Sequence, residues 1–184
     1  MHIVRAPAVA GQFYPADARE LRVQVRALLD AVHTAAADSV PKAVIVPHAG
    51  YVYSGPVAAS LYARLAPARD RIRRVVLLGP AHRVAFDGLA LSSATAFTTP
   101  LGDVPLDTAA CARLLNLPQV RILDEAHRAE HSLEVQLPFL QEVLTEFTLV
   151  PLVVGDATPE EVSEVIETLW GGAETLIVIS SDLS

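Results

Sequence analysis

An α/β fold, with a mostly parallel central sheet covered by helices, is what this sequence predicts, and three observations carry the prediction. Short apolar runs rich in β-branched residues, at 42–46, 74–78, 147–154 and 175–180, alternate with stretches of helical periodicity. The run at 175–180 is continuously apolar up to Ser180, the pattern of a strand buried on both faces. Three of the runs are followed within a few residues by a polar group suited to chemistry: His48, His82 and Asp182. With 184 residues, 52% hydrophobic and 19% charged, the chain can bury one good core and reads as a single domain, 1–184.

Each element has a local reason. Asp17 with Glu20 three residues on resembles a capping box, and Leu21, Val25, Leu28, Leu29 and Val32 then share one face of a helix over about 17–33. The strand at 42–46 leads through a glycine-rich turn to a helix opened by Ser54, Gly55 and Pro56 and reaching about Leu65. A second strand covers 74–78 and another 88–92. Residues 98–105 read as an irregular loop, because their prolines and glycine break both periods. A helix over about 107–116 and a strand at 120–123 follow. Leu133, Leu137, Leu140 and Leu144 mark a helical stripe that Pro138 should bend or split. Next come the strand at 147–154, a helix from the Thr158/Glu161 capping box to near Gly171, and the buried strand at 175–180.

Composition excludes several classes. A formal charge of -7 without a basic block, Arg71, Arg73 and Arg74 being the densest cluster, argues against a nucleic-acid partner. No apolar run approaches the ~20 residues needed to cross a bilayer, and Arg5 and Pro7 interrupt any signal-like start, so a cytoplasmic protein and no membrane partner are expected. Cys111 is the sole cysteine, which excludes an intrachain disulfide and reads as a small helix-packing residue. His2 and His33 read as surface residues.

His48 and His82 are the strongest candidates. In open α/β sheets the ligand crevice lies outside the carboxyl ends of the strands, so histidines following two strands can converge although distant in sequence. Imidazole is the commonest metal ligand. Gly50, Tyr51, Tyr53, Ser54 and Gly55 would allow close backbone approach and supply hydroxyls beside the site, or simply make a tight turn. If that stretch is extended, Tyr51 and Tyr53 share a face.

A competing motif is His127-Arg-Ala-Glu130-His131, which matches H-x-x-E-H of inverted zinc metallopeptidases. That reading requires continuous helix over 124–135 and leaves the strand-end histidines without a role. Alternatively, Glu130 fixes the tautomer of His131, which then supports the site or serves as its acid/base.

Six segments together, Ala6–Pro15, Pro47–Gly55, Leu78–His82, Thr99–Asp103, Glu130–Pro138 and Ile179–Ser184, resemble the Memo family across the chain. Bacterial and archaeal members are called AmmeMemoRadiSam system protein B, after a gene neighbourhood with an AMMECR-like protein and a radical SAM protein, which the resemblance suggests as partners. The resemblance implies the fold of class III (LigB-like) extradiol dioxygenases. It implies metal ligands at His48 and His82, Asp182 in the same pocket, and Phe13 and Tyr53 as aromatic lining; Glu130, beside His131, is expected at the same substrate pocket. The family pattern then supplies a histidine just after the Ser-Ser-Asp motif and later a cysteine; neither is present here, and Cys111 does not match by position. A domain lacking its C-terminal part is therefore expected, with an exposed apolar edge at 175–180 and a tendency to aggregate.

The leading functional expectation is a metal-dependent, dioxygenase-like oxidoreductase using iron or copper, with His131, Asp182 and Tyr53 as catalytic residues and an unknown substrate. Two imidazoles alone would leave the metal mostly solvated, with a third ligand beyond residue 184. The alternative, from a different class, is a non-catalytic module that binds a small molecule, a peptide or a partner protein in the same cleft.

Overall fold

The computed structural model describes residues 3–32 and 39–182. In chain order the elements are β1 (Val4–Arg5), α1 (Ala18–Asp30), β2 (Ala43–Val46), α2 (Tyr51–Tyr62), a 3-10 segment (Ala63–Ala68), β3 (Arg74–Pro80), β4 (Leu89–Leu91), β5 (Ala96–Thr99) and β6 (Gly102–Pro105). Then follow α3 (Thr108–Leu114), β7 (Val120–Ile122), α4 (Asp124–Arg128), a 3-10 turn (Glu134–Gln136), α5 (Leu137–Val143), β8 (Thr148–Val154), α6 (Pro159–Thr168) and β9 (Thr175–Ser180). His2 and His33 lie outside the described residues.

Among the described residues the central sheet has six strands in the order β2-β9-β3-β8-β4-β7. The pairs β2/β9, β9/β3, β3/β8 and β4/β7 are parallel, and only β4/β8 is antiparallel. Successive residues of a strand point to opposite faces, and here both faces are covered. Val75, Leu77, Leu149 and Val178 join the core beneath α1, α2 and α5, while Val76, Leu78, Val150 and Ile177 join the one beneath α3 and α6. That two-sided burial is why the strand sequences are apolar without alternation.

Four local expectations need correction. Residues 98–105 form a hairpin, not an irregular loop: β5 and β6 pair antiparallel from Ala96↔Pro105 to Thr99↔Gly102. Pro100 falls in the turn and Pro105 at a strand end, where neither ring interrupts the ladder. The second helix starts at Tyr51, before Pro56, because its first turn is held from outside: the Tyr51 N–H donates to the Phe13 carbonyl at 2.8 Å and the Ser54 hydroxyl to the Ala49 carbonyl at 2.8 Å. β9 is not an edge strand; it is paired on both sides, and among the described residues β2 is the edge next to it, with Ala43 and Ile45 exposed and Val44 and Val46 buried. Finally, 124–135 is not one helix, since α4 ends at Arg128.

Other expectations hold. Asp17 caps α1 by accepting from the Arg19 and Glu20 N–H groups, and Thr158 and Glu161 cap α6 reciprocally. Pro138 splits the leucine stripe into the 3-10 turn and α5, where it occupies the first turn.

Candidate metal centre

Strand register builds the site. Val46 pairs with Ser180 across β2/β9, so His48 and Asp182, each two residues on, emerge side by side at the carboxyl end of the sheet. The His48 N–H donates to Asp182 Oδ1 at 2.7 Å, and Asp182 Oδ2 lies 3.6 Å from His48 Nε2. On the other side of β9, Leu78 pairs with Ile179, and the chain beyond β3 delivers His82 to the same end. The rings of His48 and His82 are 5.1 Å apart, edge to face.

The third imidazole arrives from a loop. His131 stacks on His82 with centroids 4.6 Å apart and lies 5.6 Å from His48. Its segment is docked against the end of β3, where the Ser132 hydroxyl donates to the Pro80 carbonyl at 3.0 Å. A Cβ on Gly79 would lie 2.7 Å from Ser132 Oγ, so glycine is required for this approach. One ligand atom from each of His48, His82 and His131 falls within 4.8 Å of the others, a group that could hold a metal ion. His131, read from the sequence as a supporting or acid/base residue, thus lies beside the two strand-end histidines.

Glu130 organises two of the three. Its Oε2 accepts the His82 backbone N–H at 2.6 Å, and its Oε1 accepts from His82 Nδ1 at 2.8 Å and from the His131 and Ser132 N–H groups at 2.9 Å each. Burial pushes this carboxyl up, but the His82 ring N–H and the Ser132 and His82 backbone N–H groups outweigh it and hold it below its ordinary value. An ionised acceptor fixes the proton of His82 on Nδ1 and leaves Nε2 with its lone pair. His48 and His131 are both held below the usual imidazole value, chiefly by burial, Asp182 opposing this at His48 and Glu130 at His131. Neutral imidazole is the form that binds metal.

His131 differs from its neighbours in being untied. Its buried Nδ1 has no hydrogen-bond partner, lying 3.4 Å from Glu130 Oε1 without bonding geometry. Phe13 packs on the ring, centroids 4.8 Å apart. Tyr53 does not join them in any hydrogen bond or ring contact: because 51–62 is helical, Tyr51 turns inward at 3% exposure and Tyr53 outward at 83%. His127 is also elsewhere. Its Nε2 lies 3.0 Å from the Ala90 carbonyl in β4 and its ring packs on Phe97, so the two histidines of H-x-x-E-H do not face one metal.

Sequence reasoning missed the supports behind the cluster. Glu134, fully buried, accepts from Arg5 Nη1, from the Ala8 and Val9 N–H groups at 2.7 and 2.9 Å, and from the Tyr14 hydroxyl at 2.6 Å. Arg5 also reaches the His127 and Glu130 carbonyls, at 3.0 and 2.6 Å. This pins the segment carrying Phe13 against the one carrying His131. The available signal was a glutamate and a glutamine, Glu134 and Gln136, inside an apolar stripe where neither would be left without partners.

Such a fold and site define an α/β protein with a histidine cluster at the carboxyl ends of its parallel strands. The chain belongs to the Memo-like protein family, whose sequence pattern matches residues 5–184. Similar relatives include the MEMO1 family proteins of Aquifex aeolicus, 40% identical over 185 residues, and Ignicoccus hospitalis, 39% identical over 201. These matches cover 98% and 99% of this chain and 67% and 69% of the respective relatives. A MEMO1 family protein of Methanopyrus kandleri is 38% identical over 196 residues, covering 98% of this chain and 68% of its own length. Among the described residues no helix is long and apolar enough to cross a membrane.

Proposed function

We propose that the cluster is a mononuclear non-haem iron or copper site serving a dioxygenase-like redox reaction on an unknown substrate. The observation that carries this reading is the convergence of His48, His82 and His131 within 4.8 Å. The residues fit a metal: His82 is tied through Nδ1 with Nε2 left free, burial holds the His48 and His131 rings below the ordinary imidazole value, and a buried nitrogen of His131 lacks a partner. Iron or copper, when bound, supplies the one-electron and dioxygen chemistry that side chains lack.

The chain's own groups divide the remaining work. His48 and His82 are tied through Nδ1 and act as ligands. His131, whose buried Nδ1 has no hydrogen-bond partner, takes up and releases a proton beside them, as a general acid/base requires. Asp182, half exposed and held by the His48 N–H, sets its carboxylate 3.6 Å from His48 Nε2. Phe13 closes the wall behind His131 and keeps water from that side.

The test is metal content by mass spectrometry on the natural full-length protein, purified anaerobically, beside its His48→Ala and His131→Ala variants. Near-stoichiometric iron or copper, lost in His48→Ala, supports the site. Metal retained in His131→Ala with oxygen consumption abolished assigns His131 the proton; metal lost makes it the third ligand. Empty protein even after reconstitution would overturn the reading.

A further inference from the structure

Ser180 and Gln136 hold no place in the site as described, yet a buried chain of hydrogen bonds runs through them to His48. Tyr62, fully buried, donates its hydroxyl to Gln136 Oε1 at 2.8 Å. Gln136 Nε2 donates to the Pro47 carbonyl at 2.9 Å and to Ser180 Oγ at 2.9 Å. The Ser180 hydroxyl donates to the Ser132 carbonyl at 2.6 Å, and Ser180 Oγ lies 3.0 Å from His48 Nδ1.

The direction of every bond in this chain follows from two carbonyls that can only accept. Pro47 O forces the amide nitrogen of Gln136 to face it, so the amide oxygen faces Tyr62 and the second amide proton points at Ser180. Ser132 O takes the single proton of Ser180. With its proton spent and one lone pair occupied by Gln136, Ser180 can meet His48 only by accepting, so Nδ1 of His48 carries the hydrogen. Reversing the serine would strip the buried Ser132 carbonyl of this short bond and set the Ser180 proton against a ring nitrogen 3.0 Å away.

We propose that Ser180 and Gln136 are positioning residues that preset His48 to the Nδ1–H tautomer before any metal arrives, leaving the lone pair on Nε2, the nitrogen 3.6 Å from Asp182 Oδ2. His48 and His82 thus receive the same tautomer by different means, a neutral hydroxyl relay for one and the Glu130 carboxylate for the other. The relay to Nδ1 of the buried His48 is itself neutral, the Asp182 carboxylate meeting that residue at its backbone N–H and near Nε2 instead, whereas at the more open His82 the Glu130 carboxylate bonds Nδ1 directly. The relay also bridges Pro47, Ser132 and Ser180, tying the β2 and β9 ends and the His131 loop into one unit. The functional meaning of this inference rests on the metal reading; its test does not.

The test is two-bond proton–nitrogen correlation of the histidine rings in metal-free, nitrogen-15-histidine-labelled full-length protein. His48 is expected as a single Nδ1–H tautomer in the wild type and in Ser180→Thr, which keeps the hydroxyl. Ser180→Ala is expected to show averaged or Nε2–H imidazole at His48, with His82 unchanged as an internal control for folding. Gln136→Met, which removes the donor at similar volume, tests the relay if Ser180→Ala does not fold. Ferrous-ion affinity is expected to fall about 10- to 100-fold in the same variants. An Nε2–H or averaged His48 in the wild type, or an unchanged tautomer in Ser180→Ala and Gln136→Met, would overturn the proposal. If the tautomer is set as expected but no metal binds, the relay stands and the metal reading falls.

Discussion

Glu130 accepts two hydrogen bonds from the same residue, the backbone N–H of His82 at 2.6 Å and its ring Nδ1–H at 2.8 Å, and so fixes where His82 begins and where its ring points. Glu130→Gln puts an amide NH2 against one of four donors that now face a carboxylate. Metal affinity is expected to fall about 10- to 100-fold, measured by competitive titration against a chelator. Unchanged affinity would mean that His82 needs no such anchor.

The buried Arg5–Glu134 pair is expected to matter more to stability than to chemistry. Glu134→Leu leaves the Arg5 guanidinium, at 7% side-chain exposure, without its carboxylate and should cost about 3–5 kcal/mol by urea denaturation. Replacing both partners, as in Arg5→Met with Glu134→Leu, should recover part of that loss. A double variant no more stable than the single one would show that the backbone bonds to Ala8 and Val9 carry the weight.

His127 makes stability depend on pH. Burial chiefly, with the nearby Arg5 charge, pushes its imidazole from 6.5 down to about 4, while the Ala90 carbonyl, Asp124 and Glu130 oppose the shift. The unfolded chain therefore binds this proton below 6.5 and the folded one only near 4. Between these values the unfolded state holds more protons, so the contribution is fully present above 6.5 and is lost as pH falls toward 4, by on the order of 3 kcal/mol. His127→Gln should flatten this limb of a plot of denaturation midpoint against pH; an unaltered slope would assign it to other groups.

Gly79→Ala probes the seat of the His131 loop. The added Cβ would meet Ser132 Oγ at 2.7 Å and Leu133 Cδ2 at 2.9 Å. The loop must move, at an expected cost of about 1–3 kcal/mol by chemical denaturation, together with weaker metal binding. Wild-type affinity in this variant would show that His131 tolerates displacement.

Much of this protein was legible in one dimension. The apolar runs, the caps at Asp17 and Thr158, and the break at Pro138 act over a few residues, and local chemistry decides them. The strand-end positions of His48, His82 and Asp182 were legible too, because a parallel sheet places all such ends on one side. Local reading failed where a distant group decided the outcome. The 98–105 hairpin draws on Gln141, which bonds Thr99 at 2.6 Å, and the start of α2 depends on the Phe13 carbonyl.

What the sequence by itself determined is therefore the sheet, its two covered faces and the end at which the chemistry lies, all of which follow from periodicity and from the handedness of the chain. Only the tertiary structure decided that His131 joins the cluster while His127 leaves it, since a five-residue helix ending at Arg128 breaks the spacing their motif implied. It also decided which nitrogen His48 and His82 offer. That choice depends on Glu130, Ser180 and Gln136, whose hydrogen bonds span 44 to 132 residues of chain and leave no periodic trace in it.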